Sequence, residues 1–356
     1  MDYKQASKHF LENEKQFHLG VIPTEQPNPK TRNLSATIMK DTKAGVKMIL
    51  SCDSEIAKVA SSAFETPEFK RFVNDIKLAI DNRKRIVFSS VGASGRMGIT
   101  LDAAWRQYWT SLVQKLPVRA KTFVEIAELV SSFTTGGDRA LVRSVENFED
   151  YMSFGREQVK EAGIGKGDIL VGLAECGLSA SINGSVLEAA ERGCTTYYLY
   201  CNPKEILVKH LDRCRMVFEN EDIIKISLFV GNMAVAGSTR MQVTTVELLA
   251  AGAAMEVAAK RWLMENLEEE ELQTLGIIAF DLQRYAEEFE KMNQALSSDE
   301  ALEGLAKAVE YETETYKANG LITYLTHEYL LDILTDTTER QPTFTLPPFR
   351  KFKDTT

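Results

Sequence analysis

Apolar runs and amphipathic stretches alternate along the middle of the chain. Residues 85–92, 167–175 and 195–203 are short apolar runs rich in β-branched or aromatic side chains, and they predict strands. Residues 121–128 and 214–220 are interpreted as two further strands. The stretches of helical spacing between these runs predict βαβ units, and therefore an α/β fold with a parallel sheet and helices on both faces.

The flanking segments have a different character. Residues 1–34 are polar and interrupted by proline, which predicts an irregular arm. Residues 35–82 predict two or three helices, and the TPE sequence at 66–68 is typical of a helix start, with a cap, a proline in the first turn and an acidic side chain. The Ala-rich run over 240–264 predicts a long buried helix, and GLITYL (320–325) predicts a new strand.

These patterns divide the chain into four parts. We expect an N-terminal arm and helix (1–50), a domain built on the sheet (51–264), a helical extension (265–319) and a C-terminal segment (320–356).

Charge and composition narrow the classes of function. The 51 acidic and 42 basic residues give a net charge of −9, which provides no general attraction to nucleic acid. The sequence has neither a run of about 18 apolar residues nor an apolar N-terminal segment, so we expect a cytoplasmic protein that does not bind to membranes. The five cysteines and four histidines are scattered, which favours neither a disulfide framework, nor a metal site, nor a cofactor.

One segment has the composition of an anion-binding turn. SSVGASGRMG (89–98) follows a predicted strand and precedes a helix expected from about residue 97. Serine hydroxyls, glycines that allow close approach and a helix N-terminus together suit a phosphate monoester, although the segment is not a Walker A loop. The candidate phosphate-binding residues are Ser89, Ser90, Gly92, Ser94, Gly95 and Arg96. The alternative is an ordinary glycine-rich tight turn.

Three other segments are weaker candidates. AECGLSAS (174–181) offers Gly177, Ser179 and Ser181, although serine and glycine at a helix start are often only caps. AGSTRMQ (236–242) offers Ser238 and Thr239 before the long apolar helix. TTGGDRALVRSVENFEDY (134–151) carries several acidic and basic side chains, which are equally typical of a surface helix with ion pairs.

Taken together, these segments resemble a known family. TEQPNPKTRNLS, SVGASGRMGITLDA, TTGGDRALVRSVENFEDY, CTTYYLYCNP and AGSTRM occur in the order found in N-acetylmuramic acid 6-phosphate etherases, a group that includes the glucokinase regulatory protein. The resemblance covers about residues 24–255. It implies a three-layer α/β/α sugar isomerase (SIS) domain, with helical N-terminal and C-terminal extensions here, that binds a phosphosugar and forms a homodimer.

The chain departs from the etherase pattern at two places. The etherases have Leu-Asp-Ala-Ser-Glu-Cys-Pro-Pro-Thr where this chain has LDAAWRQYW, so Trp105 stands at the position of a catalytic glutamate. The other family glutamate matches Glu149, a candidate base. Elimination of the ether needs a base that removes the C2 proton and an acid that protonates the departing lactyl oxygen, and an indole N–H cannot act as that acid. The family's second loop, Ala-Ser-Gly-Arg-Thr-Pro, is replaced by ECGLSA.

The C-terminal segment resembles part of the same family. LITYLTHEYLLDILTDTTERQPTF (321–344) is similar to the first strand and helix start of an SIS domain, with Glu339 at the glutamate position. It is either the start of a second SIS repeat or a C-terminal arm, and Glu339 is a second, weaker catalytic candidate.

Three hypotheses follow. The first is a phosphosugar sensor or regulator without etherase activity, acting through a protein partner or its own copy. The second is an enzyme, either a lyase or an aldose–ketose isomerase or epimerase that uses Glu149 as its base on a hexose or hexosamine 6-phosphate. The third is a purely structural or partner-binding module, which would bind no sugar phosphate.

Overall fold

A computed structural model describes residues 2–14, 18–137, 140 and 148–327, without the side chains of Ala93 and Ser94. In these ranges, five strands form one parallel sheet with the order β2-β1-β3-β4-β5. The strands are β1 (Ile86–Ser90), β2 (Val130–Thr134), β3 (Ile169–Leu173), β4 (Thr195–Tyr200) and β5 (Ile223–Ser227).

Helices cover both faces of the sheet. Their bounds in the described ranges are α1 (Tyr3–Asn13), α2 (Leu34–Ile38), α3 (Thr42–Leu50), α4 (Ile56–Phe64), α5 (Pro67–Asp81), α6 (Gly92–Lys115), α7 (Ala120–Ala127), α8 (Met152–Glu161), α9 (Ala180–Glu191), α10 (Lys204–His210), α11 (Asp212–Glu219), α12 (Gln242–Asn266), α13 (Glu269–Leu275), α14 (Leu282–Leu296) and α15 (Asp299–Lys317). No helix in these ranges combines the length and the apolar character that crossing a membrane requires.

The alternation of side chains along each strand creates two cores. Ile86 and Phe88 point into a large core with α4 to α7 and α12, whereas Val87 points into a second core with α8 to α11. Because successive strand residues face opposite sides, a strand covered on both faces is apolar throughout. The predicted three-layer α/β/α fold with a parallel sheet is therefore confirmed.

Two predicted strands are wrong. Residues 121–128 form most of α7, and residues 214–220 fall largely in α11. In α7 the buried residues Phe123, Ile126 and Ala127 have the i, i+3, i+4 spacing of one helix face. The β-branched and aromatic side chains of these short runs suggest strands at the wrong positions. The edge strands β2 and β5 begin only a few residues later.

The predicted strand at 320–325 is also wrong. These residues are irregular, and Leu321 and Leu325 are exposed. Since their N–H and C=O groups pair with no strand of the described chain, the apolar pattern alone does not produce a strand here. The predicted helix start at residues 66–68 is confirmed, because the Thr66 side chain accepts a hydrogen bond from the amide of Phe69. The predicted domain boundaries stay predictions.

The N-terminal arm is held against the sheet's carboxyl edge. Asn202, directly after β4, donates its amide N–H to the hydroxyl of Thr24 (2.9 Å) and to the carbonyl of Cys176 (2.7 Å). The Thr31 hydroxyl donates to the carbonyl of Ala234 (2.7 Å). The arm thus contacts the segments that follow β4 and β5, and Asn202 links it to the segment that follows β3, which places the arm beside the candidate site.

Candidate functional site

The carboxyl ends of β1, β2 and β3 bring three connecting segments together. The amide of Thr135, which follows β2, donates to the carbonyl of Ser90 at the end of β1 (3.0 Å). The Thr135 hydroxyl donates to the hydroxyl of Ser181 near the start of α9 (2.9 Å). Ligands of open parallel sheets bind at this edge. The candidate residues after β1 and β3 therefore lie where a ligand site is expected.

The β1–α6 junction is shorter than the sequence predicts. The helix begins at Gly92 rather than near residue 97, so Gly95 and Arg96 lie inside its first turns. The Gly95 amide donates to the carbonyl of Val91 (2.9 Å), and the buried Arg96 donates from Nη1 to the carbonyl of Gly92 (3.1 Å). What this junction presents to an anion is therefore the N-terminus of a long helix, with its N–H groups and partial positive charge.

The serines of this junction face mainly inward. Ser89 and Ser90 are buried, and the Ser90 hydroxyl lies 3.3 Å from the carbonyl oxygen of Gly95. Gly95 is required by close packing, since a Cβ there would lie 2.2 Å from Oγ1 of Thr134. The side chain of Ser94, also a candidate, lies outside the described residues.

The β3–α9 junction holds the second group of candidates. The Gly177 carbonyl lies 3.0 Å from the hydroxyl of Tyr198. Ser179 is half-buried at the N-cap position of α9, and its side chain makes no capping hydrogen bond. Ser181 is fully buried and contacts Thr135. Of this group, Ser179 has the position and exposure that contact with a ligand needs.

The turn before α12 closes onto the β3–α9 junction. Ser238 and Thr239 are half-buried in this turn. The Thr239 hydroxyl hydrogen-bonds the carboxylate of Glu175, and so does the Thr244 hydroxyl, with 2.7 Å to Oε1. Candidates from two distant parts of the sequence therefore lie together.

Glu149 lies beside the first junction. It is half-buried, and a Cβ built on Gly92 would lie 4.0 Å from its Oε2. Its charge also helps to raise the pKa of Glu175. Glu149 is therefore within electrostatic reach of both junctions, as a base acting on a ligand between them would be.

Glu175 is a site residue that the sequence reasoning missed. It directly follows β3, is buried, and has a left-handed backbone with φ of 44°. Burial, with a contribution from Glu149, raises the pKa of its carboxyl to about 7, although Thr239, Thr244 and Arg240 favour the charged form. The sequence contains a feature that could have indicated Glu175, because a charged residue just after a buried apolar strand is unusual.

A second buried carboxyl lies behind Glu175. Glu247 of α12 accepts from the thiol of Cys201 through Oε1 (3.7 Å), whereas its Oε2 is buried without a hydrogen-bond partner in the described part of the chain. Burial and the nearby Glu175 raise the pKa of Glu247 well above its ordinary range. The candidate edge of the sheet therefore contains three neighbouring carboxyls.

Comparison with known proteins identifies the family. Residues 69–191 match the family description of the glucokinase regulatory protein N-terminal SIS domain. The chain is 30% identical over 232 residues to N-acetylmuramic acid 6-phosphate etherase 2 of Vibrio parahaemolyticus, which covers 65% of this chain and 67% of that protein. The chain belongs to this SIS-domain family. An etherase of Salmonella agona is 29% identical over 231 residues, covering 65% of this chain and 68% of the relative.

One solved structure is similar to part of the chain. A phosphoheptose isomerase from Francisella tularensis aligns with 58% of this chain and 92% of its own, at 16% identity and a TM-score of 0.37.

Trp105, which stands where the etherases have a glutamate, is a buried core residue in the structure. Its side chain is 3% exposed, and its indole N–H donates to the carbonyl of Ile126 (3.0 Å). It also packs edge-on against Trp109, with ring centroids 5.5 Å apart. The alternative of a core residue is therefore favoured over one that stacks on a sugar, and α6 supplies no proton donor at this position.

Other candidates of the SIS pattern are not described by the structure. Glu339, the second catalytic candidate, lies outside the described residues, as do residues 138, 139 and 141–147 of the candidate segment at 134–151. Among the residues that are described, no three His, Cys, Asp or Glu side chains converge in a metal-binding arrangement. The chemistry available at the sheet edge is that of helix N-termini, hydroxyls and carboxyls.

Proposed function

We propose that this protein binds a phosphosugar at the carboxyl edge of its sheet and senses or regulates rather than cleaving an ether. The observation that carries the binding is the convergence of the N-termini of α6 and α9 with Ser179 and Thr239. Two helix N-termini at one edge offer backbone N–H groups and partial positive charge to a phosphate, the group that appears in the names of the etherase relatives.

The proposed lack of etherase activity rests on Trp105. The elimination requires one group to remove the C2 proton and another to protonate the departing lactyl oxygen. Glu149 is suited to the first task. The indole at position 105 is engaged with Ile126 inside the core and cannot perform the second.

A direct assay tests both parts. The protein is incubated with N-acetylmuramic acid 6-phosphate, lactate is measured, and thermal unfolding is followed with the same compound and with a panel of hexose and hexosamine phosphates. We expect no lactate, together with saturable stabilisation of about 2.7 kcal/mol at a ligand concentration about 100 times the dissociation constant. Lactate release contradicts the regulatory role, and the absence of any thermal shift favours a structural module.

A second candidate function is an aldose–ketose isomerase or epimerase. The position of Glu149 beside Gly92 favours it, since a single base next to an open-chain sugar phosphate can exchange the C2 proton. Solvent deuterium appearing at C2 without lactate would support this function. Glu149→Gln should then abolish the exchange and preserve binding.

The assembly is part of the same proposal. A homodimer, or a complex with another protein, would convert ligand binding into a signal. Sedimentation with and without sugar phosphate measures whether the chain self-associates and whether the ligand changes the association.

A further inference from the structure

Three carboxyls and one phosphate dianion would share a small volume at the proposed site. Glu149 lies beside Gly92, Glu175 lies just beyond the end of β3, and Glu247 lies behind Glu175. Each pair that includes Glu175 is close enough for one charge to affect the other. Buried like charges cannot all remain ionised, so at least one group must hold a proton.

The charged and titratable neighbours of Glu175 come from every element packed against it. They are Glu149 from the turn before α8, Arg240 from the turn before α12, Glu247 from α12, and the thiols of Cys176 and Cys201. Burial raises the pKa of both thiols, so they remain neutral. Glu25 of the arm also faces Cys176. Arg240 supplies a positive charge that acts on Glu175 and favours its ionised form.

Glu175 lies between the turn that carries Thr239, which we propose as a ligand wall, and the deeper carboxyl of Glu247. Its oxygens contact Thr239 and Thr244, which belong to the proposed ligand wall and the start of α12. Glu247 lies further inside, against Cys201. Of the two buried carboxyls, Glu175 is therefore the one that an incoming phosphosugar meets.

The ionisation state of Glu175 decides whether it hinders or helps binding. An ionised carboxylate only accepts hydrogen bonds and repels a phosphate, whereas a protonated carboxyl can donate one. The oxygens of a phosphate dianion only accept hydrogen bonds, so a carboxyl that faces them must carry a proton to bond with them. The favourable arrangement has a proton on Glu175.

We propose that Glu175 is a specificity-determining residue that binds the sugar phosphate in its protonated form, so that the protein takes up one proton from solvent when the ligand binds. This inference rests on the proposed function, because it concerns the same site. No bond other than the O–H of the carboxyl forms, and the proton comes from water or buffer.

Proton uptake by Glu175 determines how the affinity for the sugar phosphate changes with pH. In the empty site the pKa of Glu175 is about 7, and a bound dianion raises it further. Binding then favours the protonated form, so affinity is highest below this value and falls as the pH rises above it. The fall approaches about tenfold per pH unit until the pKa of the complex is reached.

Isothermal titration of the full chain at pH 8, in buffers with different heats of ionisation, counts the protons. The probes are glucose 6-phosphate and N-acetylmuramic acid 6-phosphate. Wild type should take up close to one more proton than Glu175→Gln, because the amide donates at every pH. The comparison cancels the ionisation of the ligand's own phosphate. Glu219→Gln, at the exposed end of α11, makes the same charge change far from the site and should behave as wild type.

Thr244→Val provides a second readout should Glu175→Gln fail to fold. Loss of the hydroxyl that stabilises the ionised carboxylate should move the pH dependence of binding upward. Equal proton uptake by wild type and Glu175→Gln, or an unmoved pH profile in Thr244→Val, overturns this inference and leaves phosphosugar binding intact. Absence of binding to either probe by every variant at pH 6 to 8 overturns the proposed function, and this inference with it.

Discussion

The β1–α6 and β3–α9 junctions lie at the same edge of the sheet but offer different chemistry. At β1–α6, close packing leaves mainly backbone groups, because Gly95 contacts Thr134 and Arg96 is turned back onto Gly92. At β3–α9, a buried titratable side chain, Glu175, follows the strand. The two junctions would therefore serve the proposed ligand differently: backbone groups of β1–α6 would bind its charge, whereas Glu175 at β3–α9 would gain or lose a proton.

The position of the carboxyls extends this contrast. The resemblance to the etherases leads one to expect a glutamate on α6, where this chain has Trp105 in its core. Carboxyls are instead found at Glu175 and Glu247, on the other side of the edge.

Placing the family's glutamate back on α6 should break the core rather than create an acid. We expect Trp105→Glu to destabilise the protein by about 4 kcal/mol or more, because it removes a buried indole and buries a carboxyl. Trp105→Phe should cost about 1–2 kcal/mol by losing the hydrogen bond to Ile126 and some packing. Urea unfolding measures both. A Trp105→Glu variant as stable as wild type would contradict the core assignment.

The close packing of α8 against α9, the helix that follows the β3–α9 junction, should not tolerate an added methyl group. A Cβ on Gly155 of α8 would lie 1.7 Å from the carbonyl oxygen of Ser181, so Gly155→Ala should cost about 3 kcal/mol by forcing α8 and α9 apart. Gly304→Ala, in the exposed part of α15 with nothing within 4 Å, is the matched control. It should stabilise the protein by about 1 kcal/mol through helix propensity. Equal effects in chemical denaturation would show that α8 and α9 are not closely packed.

The buried carboxyl should make stability depend on pH. The pKa of Glu175 is raised to about 7 from 4.5, so its stabilising contribution is fully present below about 4.5 and is lost as pH rises through about 7. At pH 8 we expect Glu175→Gln to be more stable than wild type by about 2–3 kcal/mol, and at pH 4.5 the difference should nearly vanish. Denaturation across this pH range measures the effect. A constant difference would mean that Glu175 ionises normally in the folded protein.

The hydroxyl pair that joins the two junctions should contribute least. Thr135→Val removes the buried hydrogen bond to Ser181, and we expect a loss of about 1 kcal/mol. Thr274→Val, on the exposed face of α13, removes a hydroxyl of the same kind and should cost less than about 0.5 kcal/mol. Differential scanning calorimetry of the two variants provides the comparison. Identical transition temperatures would show that the pair does not connect the junctions energetically.

Much of the fold was predictable because it depends on local patterns. The three central strands were recognised from buried runs, and the long helix α12 from its apolar composition. The edge strands were not recognised, because residues 121–128 and 214–220 combine β-branched or aromatic side chains with helical spacing. In runs this short, composition and spacing compete, and packing against the sheet decides between them.

The location of the candidate site could be predicted from the sequence, but the contacts of its side chains could not. Strand-to-helix segments rich in glycine and serine indicated the sheet edge, and several of these candidates meet there. What each residue contacts depends on the orientation of its side chain. The Ser90 hydroxyl faces backbone groups of its own junction, whereas Ser179 lies at the N-cap position of α9 without a capping hydrogen bond. No sequence pattern reports which way a hydroxyl points.

The sequence by itself determined the family, the parallel sheet and the edge where a ligand would bind, because these follow from periodicity and ordered motifs. Only the tertiary structure decided that Trp105 belongs to the core and that Glu175 and Glu247 form a buried pair. The physical reason is that a side chain's protonation and role depend on its solvation and on neighbours distant in sequence. Residues 175 and 247 become neighbours only when α12 packs beside the end of β3.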